Sequence, residues 1–215
     1  LREAKEVYWY NKGLTADDLA LLGTLGSVLP ALETLVLVEP AAGPDGVQRL
    51  AEGLGAGALP AVTMLQIIGM HVGDAGASEL AAALGRGALP RLKTLSLVKA
   101  AIGDAALVAL APALRRRPAL EHLFLIGNPF GDESLAALVA PPPPAGAPPP
   151  PAGVLAKLKL LDLTRTQITD AGCATLAAAL NSGALPALKY LHLAGTPASA
   201  VAKAAVREAT QTCWE

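Results

Sequence analysis

Asp162 and His192 are the side chains best placed to do chemistry, because a carboxylate can hold an imidazole in the tautomer that takes a proton from a nucleophile. They lie 30 positions apart, the step at which the chain repeats itself, so they share a slot in adjacent units. Such a dyad needs a serine or cysteine beside it, and the pattern brings only the Thr164 hydroxyl near. The pair therefore reads as a polar contact on a binding face, and no catalytic residue is assigned. The three histidines, His71, His122 and His192, have neither HxH nor HxxxH spacing, so no metal site is expected. Cys173 fills a slot held elsewhere by Val47, Ala77 and Leu107 and reads as a core thiol. Cys213, beside Trp214, is given no role. Two cysteines exclude a disulfide-dense scaffold and a four-cysteine zinc site, and no cofactor is expected.

Three further motifs have structural readings. Gly53-Leu-Gly-Ala-Gly follows a helix rather than a strand and lacks the Lys-Ser/Thr of a phosphate loop, so it reads as a helix terminus. Arg115-Arg116-Arg117 stands at a predicted helix C-terminus, where cations complement the dipole; without interleaved aromatics it implies no nucleic acid. Pro141–Pro144 and Pro148–Pro151 would form an extended segment of the kind that SH3, WW or profilin-type grooves accept. No short-range basic or aromatic residue flanks them, so a tolerated surface insertion over 140–153 is the simpler reading. Pro142 falls in the slot of Leu84 and Leu114, which predicts that the helix there is shortened or replaced.

Composition narrows the class. In 215 residues, 17 Lys+Arg balance 18 Asp+Glu for a formal charge of -1, too even for a nucleic-acid binder relying on net charge. Hydrophobic residues make up 53% and aromatics 3%, which excludes a disordered chain and puts the apolar content on Leu, Ala and Val. The start, Leu1 to Lys12, lacks the apolar core of a secretory signal. Gly53–Gly73 contains Pro60 and several glycines, and Ser134–Ala156 is broken by the proline tetrads, so no spanning helix is predicted. A soluble cytoplasmic protein that contacts no membrane is expected. A chain opening on Leu1 rather than Met also fits a fragment or a processed product.

What would position the candidate side chains is a repeat. The pattern L-x-x-L-x-L recurs from Leu32, Val62, Leu92, Leu120, Leu158 and Leu188, at steps of 30, 30, 28, 38 and 30. One step of 28 back from Leu32 reaches Ala4, with Val7 and Trp9 in the strand slots, giving about seven units over 1–215 with the first atypical. The step of 38 contains the proline insertion. Within a unit, the alternation Leu95-x-Leu97 predicts a short strand. Asp74, Asp104, Asp132 or Asp170 then marks a helix start and is expected to cap it. Apolar residues at helical spacing follow, as in Leu107, Leu110, Ala111 and Leu114, and Gly or Arg before Pro ends the helix. Such a unit buries its apolar face only by stacking on its neighbours.

The runs Leu92-Lys-Thr-Leu-Ser-Leu, Ile102-Gly-Asp-Ala and Asp170-Ala-Gly-Cys-Ala-Thr-Leu-Ala-Ala-Ala-Leu, with Gly183-Ala-Leu-Pro, resemble leucine-rich repeats of the ribonuclease-inhibitor type over nearly the whole chain. The resemblance implies an α/β right-handed solenoid, a horseshoe with a parallel sheet on the concave face and helices on the convex face. It also implies protein recognition without catalysis. The family's Asn or Cys, eight positions after the unit start, is replaced by Lys12, Pro40, Met70, Ala100, Thr166 and Thr196, with Asn128 retained, so its side-chain ladder is expected to be mostly missing. The low cysteine count also departs from true ribonuclease inhibitors.

In that register three columns point out of the sheet. They read Glu6, Thr34, Met64, Thr94, His122, Leu160 and Tyr190; then Tyr8, Val36, Gln66, Ser96, Phe124, Asp162 and His192; then Tyr10, Val38, Ile68, Val98, Ile126, Thr164 and Ala194. A contiguous exposed apolar stripe from Tyr10 to Ile126 is predicted, and such patches with aromatic anchors mark partner sites. The expected contact residues are Tyr8, Tyr10, Val38, Met64, Ile68, Val98, His122, Phe124, Ile126, Asp162, Tyr190 and His192. Function is read as non-catalytic binding of another protein on the concave face. One rival is a GTPase activator resembling the Ran-specific family, with Lys99, Arg165 and Asp162 as candidates; the other is the sensing repeat region of a larger NOD-like receptor. A closing helix is expected over 198–215, and self-association through an uncapped N-terminal end is a further expectation.

Overall fold

The computed structural model describes residues 3–139 and 155–211. Among them strand and helix alternate seven times: β1 Glu6–Tyr10, α1 Ala16–Thr24, β2 Thr34–Val38, α2 Gly46–Gly53, β3 Met64–Ile68, α3 Gly73–Gly85, β4 Thr94–Val98, α4 Asp104–Arg115, β5 His122–Phe124, α5 Asp132–Val139, β6 Leu160–Asp162, α6 Asp170–Asn181, β7 Tyr190–His192 and α7 Ala200–Gln211. The strands form one parallel sheet in chain order. Its register is the sequence period made spatial: Glu6 pairs with Thr34, then Met64, Thr94, His122, Leu160 and Tyr190 follow strand by strand. The long step from His122 to Leu160 leaves that register intact. The proline tetrads, Cys213 and Trp214 lie outside the described residues, and the closing helix expected over 198–215 coincides with α7 as far as Gln211.

The leucines of the pattern build the core. Leu35, Leu65, Leu95, Leu123 and Leu161 are buried, with Leu37, Ile67, Leu97, Leu125 and Leu163 one pleat on. They meet the inward faces of the helices at Leu80, Leu84, Leu110, Leu114, Leu176 and Leu180. Each such leucine contributes about 1.5–3 kcal/mol by leaving water. Strands pack about 4.8 Å apart and helices about 8–10 Å, so a stack with strands on one side and helices on the other bends with the sheet inside.

Two backbone devices repeat with the units. The carbonyl just before each of β1 to β6 accepts two amides from the next unit, as Lys93 O does from Glu121 N and His122 N at 2.8 and 3.0 Å. After the strand, the backbone turns left-handed at Asn11, Gly69, Lys99, Gly127, Arg165 and Gly195. Glycine takes this conformation freely, whereas a Cβ at Gly127 or Gly195 would meet the side chain of Lys99 or Arg165 at 3.0 Å. The long stems of Lys99 and Arg165 thus lie across the next unit's glycine.

Glu39 breaks this series and explains itself. It takes no left-handed turn, and it is fully buried. Its Oε1 accepts from Lys12 N at 2.7 Å, and its Oε2 from Gly13 N and Leu14 N at 3.0 and 3.2 Å. A carboxylate surrounded by backbone amides satisfies the loop between β1 and α1, because Pro40 stands in the slot from which Asn128 serves the loop of its own preceding unit. The sequence reading, fixed on Pro40 in the next position, missed it.

The side-chain ladder expected to be mostly missing is built from mixed parts. Asn128 is buried; its Oδ1 accepts from Ala100 N and Ile102 N at 2.9 and 3.1 Å, and its Nδ2 donates to Leu97 O and Leu125 O at 2.7 and 2.8 Å. Thr166 and Thr196 donate their hydroxyls to Leu163 O and Leu193 O at 2.8 and 2.9 Å. Met70 and Ala100 are buried apolar fillers.

The aspartates correct another expectation. Asp104 and Asp170 are the first residues of their helices, after N-cap residues Gly103 and Thr169, and they do not cap them. Their carboxylates reach across to the next unit. Asp104 Oδ1 accepts from Gly131 N at 2.8 Å, Asp132 Oδ1 from Thr169 N at 2.9 Å, and Asp170 Oδ1 from Ser199 N at 2.6 Å. A negative charge in the first turn also suits the helix dipole. The arginines at the helix ends behave alike: Arg86 donates to Ala51 O and Leu54 O, and Arg117 to Leu84 O and Leu89 O, all in the preceding unit. Arg117 thus ties two units together at the C-terminal end of α3.

Candidate protein-binding surface

The open face of the sheet carries the three predicted columns in the predicted register. Tyr8 lies beside Val36 and Tyr10 beside Val38; Ile68 lies beside Val98 and Phe124 beside Asp162. Lys99 N donates to Ile126 O at 2.8 Å, which continues the last column one strand further. The side chains are therefore brought together, but their exposure differs from the expectation. Val38, Met64, Ile68, Val98, His122, Phe124 and Ile126 are half-buried rather than open. Val36, between Tyr8 and Gln66, is only 1% exposed. The reason is crowding: neighbours across strands shield one another on a surface that bends inward. Exposed side chains remain at the ends, at Tyr8 (47%), Tyr10 (50%) and Tyr190 (58%).

The aromatic end is ordered locally. The Tyr8 and Tyr10 rings stack with centroids 6.4 Å apart and planes 7° from parallel. The Tyr8 hydroxyl donates to Glu6 at 3.1 Å, and that bond with the nearby carboxylate raises its pKa. In the middle of the face, the Thr94 hydroxyl and His122 Nδ1 lie 3.2 Å apart, and Gln66 Nε2 donates to Met64 Sδ at 3.5 Å. Lys159 and Glu121 form an ion pair at 2.6 Å beside these columns, and the lysine holds the glutamate below the usual carboxylate range.

At the other end His192 Nδ1 stands 3.1 Å from Asp162 Oδ2, as the shared slot predicted. Asp162 Oδ1 accepts from the backbone amide of Thr164 at 2.9 Å. The carboxylate is buried and held on both oxygens, while His192 is exposed. Thr164 meets the pair through its backbone amide. Among the described residues, no group of three or more His, Cys, Asp and Glu side chains is arranged to hold a metal ion. Cys173 is buried, and desolvation pushes its thiol up, away from reactivity. Among the described residues, no helix is long and apolar enough to cross a membrane.

A repeat model and one solved domain agree with this architecture. A family model described as a leucine-rich repeat matches residues 154–177. A search of curated proteins returns no match. Among solved structures, the tropomodulin C-terminal domain of Caenorhabditis elegans superposes with a TM-score of 0.52 at 19% identity, covering 70% of this chain and 83% of that one. The actin-binding site 2 of leiomodin-1 gives a TM-score of 0.47 at 16% identity, covering 67% and 79%. Seven strands in one parallel register, alternating with seven helices among the described residues, give this chain a leucine-rich repeat fold, and the repeat's family model matches within it at residues 154–177.

Proposed function

We infer that the chain is a non-catalytic protein-interaction module whose partner docks on the concave sheet face. The observation that carries this reading is the in-register gathering of Tyr8, Tyr10, Val38, Ile68, Val98, Phe124 and Ile126 on one solvent-facing surface. Rigid strands present these side chains with little entropy left to lose, which favours recognition. The stacked tyrosines supply exposed anchors at one end, and Tyr190 with His192 supplies them at the other. The Asp162–His192 pair belongs to the polar rim of this face, because its carboxylate is spent on holding the Thr164 turn and the imidazole.

The test is cross-linking of the wild-type chain to its captured partner, followed by mass spectrometry, with Tyr10→Glu and the double variant Phe124→Asp, Ile126→Asp alongside. Binding should fall by at least about tenfold while the circular dichroism is unchanged. Undiminished capture, or cross-links confined to the helices, overturns the assignment. Self-association through the N-terminal end is a second reading, supported by a specific observation. Leu21 (59% exposed), Leu25 and Val28 surround an apolar cavity of about 400 Å³ reaching Val7, Trp9 and Leu14. Light scattering over a concentration series, repeated on Leu21→Glu, decides it: a monomer at all concentrations refutes it.

A further inference from the structure

The far end of the sheet offers something the face does not. Leu163 N donates to His192 O and Arg165 N to Ala194 O, while Tyr190 N donates to Lys159 O. The backbone of Tyr190, His192 and Ala194 therefore faces β6. In a strand the intervening residue points its polar backbone the other way, so the N–H and C=O of Leu191 and the N–H of Leu193 line the outer edge. The Leu193 carbonyl is already used, by the Thr196 hydroxyl at 2.9 Å.

Beside that edge run two adjoining hollows between β7 and α7. One, of about 420 Å³, is floored by Leu191, Leu193 and Val206, with Lys203 and Arg207 on its wall. The other, of about 200 Å³, adds Lys189 and Tyr190 and shares Leu191 and Arg207 with the first. Among the described residues, no acidic side chain lines either hollow. Lys203 donates to Thr196 O at 3.0 Å, which anchors the cation in place. The inward faces within the array are leucine and alanine. A further apolar unit stacked here would strip water from Lys203 and Arg207 without replacing it, which is costly for charged groups.

We propose that this end is a second binding site, for an extended acidic peptide that adds to the sheet as an eighth strand beside β7. Backbone hydrogen bonds to Leu191 and Leu193 supply the docking, an apolar side chain enters between Leu191 and Val206, and the carboxylates two residues to either side of it meet Lys203 and Arg207. Residues two apart in a strand point to the same side, so all three side chains enter the hollow that Leu191, Val206, Lys203 and Arg207 line. The site stands independently of the sheet-face reading: it uses an edge and a helix, not the three columns.

The experiment titrates an acetylated, amidated pentapeptide, Glu-Thr-Val-Thr-Glu, into the isotopically labelled full chain and follows amide shifts by NMR. Saturable shifts centred on Leu191 and Leu193 are expected, with the matching peptide that carries lysine for glutamate inert. Lys203→Glu with Arg207→Glu should weaken binding by at least about tenfold. The exposed Arg207→Glu alone, and salt raised from about 0.05 to about 0.5 M on the wild type, should each weaken it too, so the test survives misfolding of the double variant. No saturable binding, shifts centred on Tyr8 and Tyr10, equal binding of the lysine peptide, or indifference to charge reversal and salt each overturns the proposal.

Discussion

Replacing Asn128 with alanine tests the claim that one side chain can organise the turns of two consecutive units. The buried amide accepts from Ala100 N and Ile102 N and donates to Leu97 O and Leu125 O. Truncation orphans two buried backbone N–H groups at about 1–3 kcal/mol each, so the expected loss is about 2–6 kcal/mol, toward the lower end if water enters the void. A typical domain has only about 5–15 kcal/mol in total, so the effect is large. With a urea slope of about 2–3 kcal/mol per molar, the midpoint should fall by about 0.7–3 M. Equilibrium unfolding followed by circular dichroism gives that midpoint, and hydrogen exchange at Ala100 and Ile102 gives the local opening. Thr166→Val is the control: it removes one hydroxyl bond to Leu163 O and should cost about 1 kcal/mol. Asn128→Asp keeps an acceptor but turns a carboxylate toward two carbonyls, so it should be no milder than alanine at neutral pH. If Asn128→Ala costs no more than Thr166→Val and leaves exchange at Ala100 and Ile102 unchanged, the reasoning about buried satisfaction is wrong here.

Two other perturbations follow from the same bookkeeping of buried partners. Glu39→Gln swaps one carboxylate oxygen for an NH2 group facing backbone donors, which should cost about 2–3 kcal/mol and speed hydrogen exchange at Lys12, Gly13 and Leu14; unchanged exchange there counts against the carboxylate's role. Ser199, through its amide and then its hydroxyl, holds the Asp170 carboxyl below the usual carboxylate range. A depressed folded-state pKa gives stability that is complete above the unfolded value, about 3.9, and is lost as pH falls through the lower folded value. The stability gap between wild type and Asp170→Asn should therefore hold steady near neutral pH and narrow below about pH 4, whereas a gap independent of pH refutes the linkage.

The sequence by itself determined the unit, its length, the strand slots and the partnership of residues about 30 positions apart. Those features are local and periodic: a Leu-x-Leu alternation states which side chains face inward, and repeating it fixes which residues become neighbours, as Asp162 and His192 do. Only the tertiary structure decided how open the outward columns are, because burial at Val36 or Ile68 depends on what adjacent strands place on either side. It alone also decided the groups that reach between units. Glu39 sits one position off the expected slot, and Asp104, Asp132 and Asp170 serve the following helix rather than their own. A pattern read along one chain reports direction, whereas a hydrogen bond across units depends on the distance between two stacked backbones, which no single unit encodes.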